Sequence, residues 1–320
     1  GQRLPPPPPP PAPAPGVIGA PLAGLTPQQI ALFNEGRADF LETEDAAAGL
    51  GPAYNATGCA ACHNAPAIGG VGNTAVLRAG STLNGVFQEP QGGSLIHLFS
   101  NSDHKCQPQI PANATILARR IPTPIFGGGL VEAIPDAALI ALEDPGDRNG
   151  DGIRGRAARI TDVATRLPRI GRFGWKAQQA TLLGFAGDAY LNEMGITNDL
   201  FMSEVGTGLT REQLAACDTV PDPEDRRDPA TGRRAIDRFE NFMKFLAPPV
   251  EAAQNPSAQR GRQVFNTIGC ESCHIRALTT GPNAIPALDR KIVVSWSDWL
   301  LHDVGTGDGI VQANASGSEF

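Results

Sequence analysis

Gly58-Cys59-Ala60-Ala61-Cys62-His63 and Gly269-Cys270-Glu271-Ser272-Cys273-His274 are two copies of one phrase, and their reading decides what this chain folds around. Cys-x-x-Cys-His is the attachment signature of c-type haem. Two thiols add across the two porphyrin vinyl groups, and a two-residue gap lets both sulfurs reach one ring edge. The adjacent His then falls under the iron. The cofactor expectation is therefore two covalently bound c-type haems. Cys59, Cys62, Cys270 and Cys273 carry the thioethers, and His63 and His274 are the proximal iron ligands. Structural zinc is the alternative, but about 200 residues separate the clusters, which is long for one closed site. A thioredoxin-like dithiol would want a neighbouring βαβ pattern, and none is visible.

The sequence before each motif repeats as well. Gly36-Arg37-Ala38-Asp39-Phe40 and Gly261-Arg262-Gln263-Val264-Phe265 share the phrase Gly-Arg-x-x-Phe. Thr26-Pro27-Gln28-Gln29 predicts a helix start with an N-cap, a Pro at N1 and a Gln at N3, a capping box. Pro256 opens the second copy in the same way. The unit is helix, Gly-Arg-x-x-Phe, turn, haem motif, with a longer insertion (residues 41–57) in the first copy. Between the copies, helix candidates fall at Pro135–Glu143, Gln178–Met194 and Arg234–Phe245, and strand signals are short and weak. The expected fold class is mainly α with extensive irregular coil, as two cytochrome c-like haem domains and a loop-rich intervening segment. The expected boundaries are a Pro-rich linker at 1–24, a first haem domain at 25–115, an intervening segment at 116–250 and a second haem domain at 251–320.

Composition bounds the partners. The 320 residues hold 33 acids and 26 bases, a net charge of −7, which argues against nucleic acid. All but four of the bases are Arg, the better residue for fixed pairs with carboxylates. No run of 18 apolar residues exists, so no transmembrane segment is expected. Thioether attachment occurs outside the cytoplasm, so a periplasmic or otherwise exported protein is expected. The absence of a signal peptide reads as a mature or trimmed form. Cys106 and Cys217 remain, and one disulfide is the simplest use of them.

Only five His occur, so distal iron ligands are few. His97 sits in an apolar run, Ser94-Leu95-Ile96-His97-Leu98-Phe99, and is the first candidate; His302 and His104 follow. The ordinary reading of each is a hydrogen-bonded histidine, and that of the three methionines is core packing. Asp147, Asn149 and Asp151 match the opening of a calcium loop, Asp-x-Asn-x-Asp-Gly. Position 12 is Ala158, where a bidentate Glu is needed. The favoured reading is an acidic turn with Arg partners, and a looser calcium site is the alternative. Trp175, in Gly171-Arg172-Phe173-Gly174-Trp175-Lys176-Ala177-Gln178, is a candidate electron bridge, with core packing as its plain alternative.

Several phrases together resemble a known family. They are Thr123-Pro124-Ile125-Phe126-Gly127, Leu130-Val131-Glu132-Ala133-Ile134-Pro135, the Gly171–Gln178 stretch, Asp188–Asn198, Leu246-Ala247-Pro248-Pro249 and Ser297-Asp298-Trp299-Leu300-Leu301-His302-Asp303. With both haem motifs they are similar, over residues 25–312, to the bacterial di-haem c-type oxidoreductases. These are peroxidase-like, sometimes called thiol oxidoreductases, and distantly similar to di-haem cytochrome c peroxidases and the MauG enzymes. Val304 stands where that family usually carries Met after Leu-His-Asp, so a ligand role at that position is lost. The resemblance implies further chain beyond Phe320 and a distal ligand of the second haem well downstream of its motif.

The resemblance implies one haem for electron entry and one for chemistry. Glu132 and Glu193 are its candidate acid–base groups, and Trp175 its candidate bridge. Implied partners are an electron-donor or acceptor protein of the small cytochrome or cupredoxin type, and a small oxidant such as peroxide. The alternative is a non-catalytic di-haem electron-transfer protein.

Overall fold

The structure, a computed structural model, describes residues 13–14, 16–101 and 105–320. The described residues form seven α-helices: α1 (Pro27–Phe40), α2 (Gly128–Glu132), α3 (Asp136–Ile140), α4 (Leu182–Met194), α5 (Arg211–Cys217), α6 (Ala235–Phe245) and α7 (Pro256–Thr267). Twelve short strands accompany them. The expectation of a mainly α fold is therefore corrected to a mixed one of short helices, small sheets and coil, and a pair of helical cytochrome domains is not what is observed. The largest sheet is antiparallel and four-stranded. Val76–Leu83 pairs with Val86–Gln88, Leu95–Ile96 and Ile116–Arg120. It escapes a sequence reading because Val76–Leu83 does not alternate apolar and polar residues, and its main partner lies about 40 residues on.

The core is built where α1, α4 and α6 meet. Phe33 and Phe40 of α1 pack on Phe242 of α6, with ring centroids 5.3 and 4.8 Å apart. Tyr190 of α4 meets Phe239 of α6 edge-on at 5.1 Å. The close approach needs Gly36, since a Cβ there would lie 2.0 Å from the Arg238 carbonyl oxygen. Gly261, its counterpart in α7, has nothing within 4 Å of such a Cβ. So the same Gly-Arg-x-x-Phe phrase is a helix-crossing device in the first copy, and in the second it lies on a helix with no buried residue.

Helix ends follow the sequence. Thr26 and Gln29 form the expected capping box of α1. Thr181 caps α4 by accepting from Gly184 N at 3.1 Å, and its hydroxyl donates to Asp162 at 2.8 Å. Glu132 adds a second acceptor at the same helix start, taking Leu182 N at 2.7 Å. Arg172 does the reverse job for α2. Its buried guanidinium donates to the carbonyl of Ile134 at 2.6 Å and to those of Val131 and Glu132 at 3.4 Å, and it pairs with Asp136.

Residues 20–22 dock on the end of α6, through Leu22 N to Phe245 O and Ala247 N to Ala20 O. Residues 1–12 of the Pro-rich stretch, and His104, lie outside the described residues. Cys106 and Cys217 form a disulfide, with Cα atoms 6.4 Å apart. Lys176 is fully buried, donates to the carbonyls of Ser316 and Glu319 and pairs with Asp308 at 3.3 Å. Among the described residues, no helix is long and apolar enough to cross a membrane.

Candidate functional site

The two Cys-x-x-Cys-His segments adopt one geometry. Each opens a short 3-10 turn, Cys59–Ala61 and Cys270–Ser272. His63 Nδ1 lies 2.9 Å from the carbonyl oxygen of Gly70, and His274 Nδ1 lies 2.9 Å from that of Trp296. A carbonyl only accepts, so Nδ1 carries the proton and Nε2 keeps its lone pair. This is the arrangement that orients a metal-binding imidazole. The Phe of each Gly-Arg-x-x-Phe phrase packs on its own histidine. Phe40–His63 and Phe265–His274 both have centroids 6.1 Å apart and ring planes at 59°. Trp296 reaches its place with φ 52°, uncommon for a bulky residue, and meets Phe265 edge-on at 5.4 Å.

Beside the first motif lies a cleft with about 1200 Å³ of empty space, part of it open to solvent. Cys59, Cys62 and His63 form one wall with Phe40. Phe239 and Met243 come from α6, and Val76, Arg78 and Arg120 from the large sheet. The last turns of α4 bring Asp188, Asn192, Glu193 and Met194. Burial pushes the Cys59 thiol up to about 12 and lowers the pKa of His63. An apolar-sided cleft, a Cys pair on its wall and an imidazole with a free Nε2 together fit a haem. The second motif, in contrast, sits at the surface. His274 is exposed, and Val264 of α7 and Ile268 at its end, just ahead of the motif in the chain, are 55% and 68% exposed.

The end of α4 is the polar part of the cleft. A helix leaves its last carbonyls without partners, and here other segments supply them. His97 Nε2 donates to Asn192 O at 2.8 Å, Asn55 N to Glu193 O at 2.7 Å and Gly51 N to Met194 O at 3.0 Å. The Glu193 carboxylate accepts from Asn55 Nδ2 at 2.7 Å. Burial raises its pKa, while Asn55 and Arg78 oppose the rise and Asp188 adds to it. Asp188 is raised by burial too, but its Oδ1 is engaged by Asn192 Nδ2 at 2.9 Å, with Gln178 and Gln179 also donating to it.

The other sequence candidates fall as follows. Glu193 and Trp175 line the cleft, and Trp175 Nε1 donates to Ile121 O at 2.9 Å. Glu132 is not on the cleft wall; it caps α4. His97 is 1% exposed and also stands behind the wall, its Nε2 spent on Asn192 and its pKa pushed down to about 4 by burial. Asp147, Asn149 and Asp151 lie in an exposed loop. There Asp147 Oδ1 accepts Gly152 N, Asn149 Oδ1 accepts Asp151 N, and Asp151 Oδ1 accepts Ile153 N. His302 pairs with Asp298 at 2.8 Å and places Nδ1 3.8 Å from Cys273 Sγ. Gly155 leaves room for that ring, since a Cβ there would meet it at 2.7 Å.

Asn55 and Arg78 are given no role in the chemistry by the sequence, and Asp188 only opens a family phrase. Arg78 belongs to the unforeseen sheet. A second unforeseen feature is a group of four carboxylates, Glu204, Asp218, Asp222 and Glu224, with oxygens all within 4.8 Å of one another. Burial, then Glu224, Asp222 and Asp218, pushes Glu204 up to about 10. A carboxyl raised on folding stabilises fully below its unfolded pKa, and that stability is lost as pH rises toward the folded value. Glu204→Gln should therefore raise the unfolding free energy at pH 7 by about 2–3 kcal/mol. Thermal melts at pH 5 and pH 8 check this, with the larger gain expected at pH 8. A loss at pH 8 would mean that a cation holds the four oxygens.

Taken together, the Cys pair, the imidazole and the apolar-sided cleft form a site with the size and donors to take a haem. A family model described as "Di-haem oxidoreductase, putative peroxidase" matches residues 97–320. The chain belongs to the di-haem oxidoreductase family, and that family implies two haems. No curated protein and no solved structure matches the chain.

Proposed function

We propose that this chain is an exported di-haem c-type peroxidase. The haems are bound as thioethers at Cys59/Cys62 and Cys270/Cys273, with His63 and His274 as proximal ligands. The observation that carries the reading is the first cleft, which is lined both by a haem-attachment motif and by a carboxylate with one oxygen unbonded among the described residues. The cleft is the place of chemistry, and the exposed second motif is the place of electron entry from a small donor protein. When bound in the cleft, a haem supplies the iron at which peroxide takes up two electrons.

The chain's own residues manage the protons. With a haem held in the cleft, Glu193 would be the group to accept a proton from peroxide and return it to the leaving oxygen, which would depart as water. Two electrons and two protons convert one peroxide to two waters. Arg78 keeps positive charge beside Glu193 and Asp188 and so favours the ionised form that accepts the proton. Trp175, which lines the cleft and is fixed through its indole N–H, is the residue we assign to passing electrons.

Expression with a c-type maturation system should give two covalent haems per chain in a pyridine haemochrome assay. The half-reduced protein should consume peroxide with a reduced small cytochrome as donor. Two low-spin haems and no peroxide turnover in any redox state would instead make the chain an electron carrier. No haem, with zinc bound, would overturn the reading altogether.

A further inference from the structure

Glu193 presents two unlike oxygens. Oε2 accepts the amide of Asn55 at 2.7 Å, and Oε1 accepts no hydrogen bond among the described residues. Asn55 is itself held on three sides. It is 3% exposed, its backbone N donates to Glu193 O, and its Oδ1 accepts Leu98 N at 3.1 Å. The Leu98 contact fixes which end of the amide faces the carboxylate, because a backbone N–H only donates. Asn55 and Glu193 are 138 residues apart in the chain, so this is a tertiary contact and not a local turn.

We propose that Asn55 is the positioning residue of Glu193: its amide pins Oε2, so that Oε1 alone is presented to a molecule in the cleft. The inference rests on the peroxidase reading for the role of Oε1, but the pinning itself does not. Asn55 also bears on charge. A donor to a carboxylate favours the ionised form. Around Glu193 the charged groups are Arg78, which favours ionisation, and Asp188, which opposes it; the Cys62 thiol is also near enough to feel the carboxylate. Arg78 is shared with Asp188, so Asn55 is the partner dedicated to Glu193.

The test compares the holoprotein with Asn55→Leu and Asn55→Ala. Both remove the amide donor and add no charge beside Glu193, and Ala leaves the more room for the backbone to keep its place. The readout is the infrared carbonyl band of protonated Glu193, assigned by its absence in Glu193→Gln and followed against pH. In both variants the midpoint should rise by about one pH unit, so that about tenfold less carboxylate is present at a given pH below it. The acidic limb of the peroxide reaction should move by the same amount. An unmoved midpoint in folded Asn55→Leu or Asn55→Ala protein overturns the proposal. A moved midpoint with an unmoved peroxide limb keeps the pinning and instead removes Glu193 as the proton acceptor.

Discussion

Glu193→Gln should slow the reaction with peroxide by about 10²–10⁴-fold, the usual worth of a positioned acid–base group. The substitution keeps the size of the side chain and the contact with the Asn55 amide, and removes the ability to take a proton. Haem content and proximal ligation should not change, since neither His63 nor the cysteines are touched. The sign of the pH effect follows from the environment. Burial raises the carboxyl, so in the parent protein the acidic limb should lie above the ordinary carboxylate range. Activity should be lost as pH falls through that raised value, because the protonated acid cannot accept. In Glu193→Gln the limb should vanish along with the rate. Stopped-flow rates between pH 4 and pH 8 measure both effects. A variant with the parent's rate would place the proton transfer elsewhere, with Asp188 the next carboxylate on the wall.

Arg172→Met should cost about 3–5 kcal/mol of stability, the range for removing one partner of a buried ion pair. The side chain of Arg172 is 0% exposed. It satisfies three carbonyls at the end of α2 as well as Asp136, and Met takes that donor from all of them, leaving Asp136 with Arg169 and Ile170 N and Val131 O with Ile134 N. Burial works to raise the pKa of Asp136, but Arg169 and Arg172 overcome it and hold the carboxyl below its usual range. A lowered carboxyl stabilises fully above its unfolded pKa, about 3.9, and that stability is lost as pH falls through the folded value. The parent should therefore lose stability steeply below pH 4, and Arg172→Met less steeply from its lower start. Urea unfolding at pH 7 and pH 3 checks both. A cost under 1 kcal/mol would mean that Arg169, 2.8 Å from Asp136, takes over the whole task.

The parts of this molecule governed by local chemistry were legible from residue order. The capping box of Thr26 and Gln29 was read correctly, and so were the helices ending at Met194 and Phe245. The two Cys-x-x-Cys-His phrases and the Phe that packs on each histidine were also visible, because the same short spacing occurs twice. The sheet was not. Its central strand carries Arg78, Gly80 and Ser81 among its apolar residues, and its pairing with residues 116–120 depends on contacts no short window contains. Glu132 was a reasonable guess for the cleft, since it sits in a family phrase. The structure uses it to receive the backbone N–H of Leu182, a role that looks identical in sequence. Asn55 was invisible for the opposite reason. Its partner is far away in the chain, and the Asn-x-Thr triplet that it opens says nothing of a carboxylate.

The terminal carbonyls of α4 are bound by Gly51, Asn55 and His97. Helix ends ordinarily open first and most often, exchanging their amides in a time far shorter than global unfolding. This end has no such freedom. Lifting Glu193 from its place breaks bonds to a segment just ahead of the first haem motif and to a buried histidine, so both must open with it. The carboxylate wall and residues 51–55 therefore form one cooperative unit. The ordering cost of the proton-handling geometry is met when the chain folds, and little of it remains to be met when a substrate arrives.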